Sequence, residues 1–121
     1  MIIAVWAGVV LLGGAGAVLR FLIDRAIAHR VARPFPFGTL TVNLSGAVLL
    51  GLLAGLTLSY HVSLLAGTAF VGSYTTFSTW MLETQRLAEE RQLWLAAANI
   101  VVSVILGVAA AMAGQWIAGQ L

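Results

Sequence analysis

Charged residues fall into two short clusters along this chain, and long apolar runs lie outside them. The first cluster holds Arg20, Asp24, Arg25, Arg30 and Arg33, and the second Glu83, Arg86, Glu89, Glu90 and Arg91. The charge-free stretches are Met1 to Leu19, Pro34 to Leu82 and Gln92 to Leu121. A helix crossing a bilayer needs about 20 apolar residues, so the middle stretch has room for two. The pattern predicts four membrane helices: Ile2 to Ile23, Phe37 to Ser59, Ser63 to Glu83 and Leu93 to Ile117. Pro34 and Pro36 mark the entry turn to the second, and Tyr60 and His61 the turn before the third. In hydrocarbon every backbone polar group needs an internal partner, and the segments are too few for a closed barrel. The expectation is therefore an all-α integral membrane protein, one four-helix domain over residues 1–121.

Composition strengthens this reading. The chain is 61% hydrophobic and 8% charged, with mean hydropathy +1.03, far from the balance of a soluble domain. No basic start precedes the first apolar run and no soluble domain follows it, so that run is expected to remain as a helix and not to be cleaved as a leader. Cysteine is absent, which excludes disulfides, thiol catalysis and cysteine-based metal sites. The net charge of +2 comes from arginines flanking the spans, not from one basic soluble face, which argues against nucleic acid as a partner.

Four spans place both termini on one side and put all six arginines in or beside the two loops on the other. The positive-inside rule then predicts a multi-pass protein of the cell (plasma or inner) membrane, with the arginine-bearing loops in the cytoplasm and both termini outside. So strong a bias fixes one orientation. Trp6, Trp94 and Trp116 fall near span ends, where interface anchors belong.

The third predicted helix carries the most informative segment, Gly72-Ser73-Tyr74-Thr75-Thr76-Phe77-Ser78-Thr79-Trp80, in which six of the seven residues from Ser73 to Thr79 bear a hydroxyl. Such side chains compete for backbone hydrogen bonds, and the adjacent glycine and β-branched threonines weaken the helix further. A break at mid-span is expected, although a continuous helix with hydroxyls bonded back to the preceding turn is also open. Freed carbonyls would suit a hard cation, and freed amides and hydroxyls an anion. Thr39, Asn43 and Gly46 share one face of the second helix, as Asn99, Ser103 and Gly107 do on the fourth. Either asparagine could line a polar track or simply join helices.

Together these residues outline a narrow, wet and uncharged track past Phe77. Amide and hydroxyl donors and electropositive ring edges favour a small, hard anion that accepts hydrogen bonds. Arg20 could snorkel as an anchor or draw anions into a vestibule. Glu83 could sit at the mouth of the track or pair with Arg86 at i+3. Gly13, Gly14 and Gly16 follow no strand and read as helix packing, not as a phosphate loop. His29 and His61 have no matching ligands nearby.

The run Gly38-Thr39-Leu40-Thr41-Val42-Asn43-Leu44-Ser45-Gly46, with Gly72 to Thr79 and Glu83-Thr84 further on, resembles the Fluc (CrcB) fluoride channel family. Gly13-Gly14, Arg20, Asn99 and Ser103 agree, and the resemblance covers nearly the whole chain. It implies an antiparallel dimer with fluoride pores and a structural Na⁺ at its centre, and passive fluoride export that limits toxicity in the cytoplasm. On that likeness Asn43, Thr76, Phe77, Thr79, Trp80, Asn99 and Ser103 are pore residues, Arg20 and Glu83 belong to the vestibule, and Gly72 and Thr75 give backbone carbonyls to Na⁺. Trp80 stands where many members have a second phenylalanine, and Gly107 where they have a further hydroxyl. Because self-pairing in antiparallel fashion needs both orientations, the arginine bias favours an oppositely oriented paralogue as partner.

Two other functional classes compete. A proton-coupled multidrug exporter of this size needs an acid embedded in the membrane, and the first span has none before Asp24. A non-transporting assembly subunit would leave the polar track without a purpose. Enzymatic activity is disfavoured, since no nucleophile, base and orienting partner fall together.

Overall fold

Uninterrupted apolar sequence winds into three long helices: α1 (Ile2–Val31), α2 (Phe37–Gly55) and α5 (Leu93–Gln120). Between α2 and α5 the chain is helical in pieces. The first piece, α3, joins a turn at Tyr60–Val62, a wider π-wound stretch at Ser63–Val71 and a last turn at Gly72–Tyr74. After a non-helical gap comes α4 (Ser78–Glu89). This computed structural model describes residues 1–121 and contains no strand.

Helix ends depart from the sequence expectation for local reasons. The first helix continues past Ile23 to Val31, because its charged residues are compatible with helix once they lie beyond the apolar run. It stops where Ala32 turns left-handed and donates its N–H to the Ala28 carbonyl, just ahead of Pro34. The second helix ends at Gly55, short of Ser59, since Leu56 is extended. Ser59 instead caps α3, its hydroxyl accepting the Val62 N–H at 3.3 Å. The fourth-span expectation matches α5 closely, which runs three residues past Ile117.

Glycine sets how closely the helices approach. On the α2–α5 seam a Cβ at Gly51 would fall on the Ala111 carbonyl, and one at Gly114 on the Val48 carbonyl. On the α1–α3 seam Gly16 lies under the Phe70 carbonyl and Gly13 beside the Ser73 hydroxyl. Gly13 and Gly16 are thus packing residues, as small residues are where membrane helices meet, whereas Gly14 has nothing within 4 Å of an added Cβ and packs against no other helix.

Only 14 of the 121 residues are buried, while Ile3, Val10, Leu11 and Ile105 are more than half exposed. A surface this apolar is adapted to lipid, and α1, α2 and α5 are each long and apolar enough to cross a membrane.

Candidate functional site

The helical ladder fails at Thr75–Phe77, and the side chains around the gap take over its hydrogen bonds. Asn43, from the middle of α2, faces the Thr76 peptide with both ends of its carboxamide. Its Nδ2 donates to the Thr76 carbonyl at 2.9 Å, and its Oδ1 accepts the Thr76 N–H at 2.8 Å. The amide so replaces two backbone partners that lipid would not supply. One Nδ2 hydrogen remains free for another acceptor. The Thr76 hydroxyl accepts the Thr79 N–H at 3.1 Å, starting α4. The Thr75 hydroxyl bonds back to the Val71 carbonyl at 3.0 Å, which closes the end of α3.

Two carbonyls are left over. That of Gly72 would ordinarily meet the Thr76 N–H, which Asn43 takes, and that of Thr75 the Thr79 N–H, which the Thr76 hydroxyl takes. Among the side-chain bonds and the backbone bonds outside the regular helices, none reaches either carbonyl. Bare carbonyl oxygens are ligands for a hard cation, so the chemistry of this pair fits Na⁺. The Ser73 carbonyl between them accepts the Arg20 Nε at 3.3 Å. Arg20 therefore turns inward to the break and is not a snorkelling anchor.

Beside the gap an open groove is lined by Asn43, Gly46, Ala47, Leu50, Thr75, Thr76, Phe77 and Trp80. Gly46 makes room for Thr75, whose methyl group would collide with a Cβ there. Phe77 is 62% exposed along this groove, and its ring meets Trp80 edge-on at 5.7 Å. Trp80 is held by its indole N–H, which donates to the Asn99 carbonyl at 3.1 Å.

Other residues singled out from sequence lie elsewhere. Asn99 is 1% exposed and joins α5 to α4, its Nδ2 donating to the Thr84 hydroxyl at 2.9 Å. Ser103, one turn further along α5, does not line the groove. Thr79 lines a separate inner cavity with Arg20, Asp24, Thr39 and Thr76. Glu83 lines an outer cavity at the arginine-bearing end, and no bridge joins it to Arg86. One of its carboxylate oxygens and the Thr39 hydroxyl beside it are both buried, with no other partner for either.

Asp24 was not foreseen as a site residue, although it is the one acid on the same helix face as Arg20. Ser45 and Tyr74 were also missed. Their hydroxyls meet at 2.8 Å and fasten α2 to α3 just ahead of the break.

An all-helical, lipid-adapted chain with an uncharged groove of donors and an aromatic ring at a helix break belongs to the class of ion-conducting membrane proteins. Comparison with known proteins narrows the class: residues 7–115 match the family described as CrcB-like protein, Camphor Resistance (CrcB), and the chain belongs to that family. A relative from Mycobacterium bovis, called fluoride-specific ion channel FluC 2, is 69% identical over 96% of this chain and 92% of its own length. The protein of that name from Mycolicibacterium paratuberculosis is 71% identical over 96% of this chain and 95% of its own. A Streptomyces avermitilis protein called fluoride-specific ion channel FluC 1 is 42% identical over 96% and 97%.

Proposed function

We infer that this chain is a subunit of a fluoride-selective channel that lets fluoride leave the cell passively and so limits its toxicity in the cytoplasm. The observation that carries this reading is the groove itself. A free amide hydrogen of Asn43, the Thr76 hydroxyl and the exposed ring of Phe77 stand together with no formal charge among them. Fluoride is small and holds water tightly, so it enters only where donors replace that water. The names of the relatives agree with this assignment.

On this reading α3 and α4 cross the membrane together as a fourth span, interrupted at its middle by Thr75–Phe77. The channel is an antiparallel dimer, in which the lipid-facing groove of one chain is closed by its partner. The bare carbonyls of Gly72 and Thr75 would hold Na⁺ at the centre, with further ligands from the second chain. The ion would tie the two broken segments together and stand outside the fluoride path. Asn43, Phe77, Thr76 and Trp80 form this chain's share of a pore, Asn99 and Ser103 back it from α5, and Arg20, Thr79 and Glu83 belong to the vestibule. The arginine-bearing end faces the cytoplasm and both termini face outward, and an oppositely oriented paralogue is the favoured partner.

The test is fluoride efflux from liposomes followed with a fluoride electrode, with the chain reconstituted alone and with its paralogue. Fluoride release well above that of protein-free vesicles in at least one of the two is expected. Baseline release in both would overturn the assignment.

A further inference from the structure

Three separate cavities lie between the arginine-bearing end and the groove, each sharing one lining residue with the next. The outer one is lined by Asp24, Glu83 and Arg86 among others, the inner one by Arg20, Asp24, Thr39, Thr76 and Thr79, and the groove by Asn43, Thr76 and Phe77. Thr76 is shared by the groove and the inner cavity. Asp24 is the single residue shared by the inner and outer cavities.

A carboxylate at that junction requires room, and Gly38 provides it. A Cβ at Gly38 would fall on the Asp24 carboxylate and lie 2.7 Å from its main-chain oxygen. Asp24 thereby reaches the first turn of α2, where the helix N-terminus favours negative charge. Thr39, the next residue, is 2% exposed, lines the inner cavity and sets its hydroxyl beside the Glu83 carboxylate. Arg20 stands one helical turn before Asp24 on the same face of α1. An anion approaching from this end passes the mixed charges of Arg33, Arg86, Glu83 and Glu90 in the outer cavity and then meets Asp24 before it reaches Arg20 and the hydroxyl donors.

We propose that Asp24 is a permeation-control residue: its carboxylate, lodged against Gly38 at the junction of the two cavities, opposes Arg20 and restrains fluoride entry from the arginine-bearing end. This rests on the channel assignment above and adds to it a residue that sets rate. The restraint acts through space, so salt weakens it; the Debye length falls from about 30 Å at 0.01 M to about 3 Å at 1 M.

The experiment compares fluoride efflux of the full-length channel with Asp24→Asn and Asp24→Glu variants, at low and at high ionic strength. Asp24→Asn keeps the shape and removes the charge, and about a threefold faster efflux is expected at low ionic strength, shrinking toward equality at high. Asp24→Glu, which retains the charge, should stay within about twofold of the unmodified rate. An unchanged or slower Asp24→Asn channel at low ionic strength would overturn the proposal, and so would a gain that salt does not reduce. Loss of flux in both variants would assign Asp24 a structural role and overturn it too. If the unmodified channel conducts and these results fail, the proposal alone is lost; if it does not conduct, the channel assignment is lost with it.

Discussion

On the proposed reading Asn43 would serve both structure and conduction. Its two hydrogen bonds to the Thr76 peptide keep the backbone gap tolerable within lipid, and its remaining N–H faces the groove. Asn43→Asp still offers an oxygen to the Thr76 N–H, but it sets a carboxylate against the Thr76 carbonyl and in the path of the anion. Each 1.4 kcal/mol added to the barrier slows passage about tenfold, and an unscreened charge within a few ångströms exceeds that. Fluoride efflux through Asn43→Asp is expected to fall at least about tenfold, measured on protein that still elutes as an assembled channel. An unchanged rate would remove Asn43 from the pore.

The helices explain what was legible in the sequence and what was not. Long apolar runs locate α1, α2 and α5, because hydrophobicity along one segment is a local property. The place where the backbone leaves the helix also lies within the hydroxyl-rich run, since competition for backbone bonds is local too. Which partners rescue that backbone was not legible. Asn43 and Thr76 stand 33 residues apart, and Arg20 and Ser73 stand 53 apart. Equal spacing on two helices gave Asn43 and Asn99 the same appearance, yet one lines the groove and the other is buried between α4 and α5. The inward turn of Arg20 likewise depends on a carbonyl freed elsewhere.

The seam between α2 and α5 carries its own test. At Gly114 even a methyl group meets the Val48 carbonyl, so Gly114→Leu must force the two helices apart. Overpacking of this kind costs about 1–3 kcal/mol or more where backbone is the obstacle. Gly114→Leu is expected to unfold at lower denaturant concentration than the unmodified chain and to yield less assembled protein. Gly119→Leu, where nothing lies within 4 Å of the added carbon, should behave as the unmodified chain does. Equal stability of the two variants would contradict the close packing of this seam.

For the whole molecule, the charge distribution bears on how subunits pair. Arg25, Arg30, Arg33, Arg86 and Arg91 gather from the end of α1, the turn after it, α4 and the turn before α5, while Arg20 reaches inward to the break. Reporter fusions at the C-terminus, active on only one side of the membrane, are expected to signal the outer face almost exclusively. Comparable signal from both faces would show dual insertion and make pairing of the chain with itself the simpler arrangement. On the proposed reading the groove, open along one side, would be closed by a second chain.

The central claim is that uncharged donors at a helix break replace the water of fluoride and of few other anions. Its most direct measurement is the paired efflux of fluoride and chloride from the same liposomes, containing the chain and whichever partner it requires. Rapid fluoride release with chloride retained is the expected result, because chloride is larger and accepts hydrogen bonds less strongly. Chloride release at a comparable rate would contradict the claim.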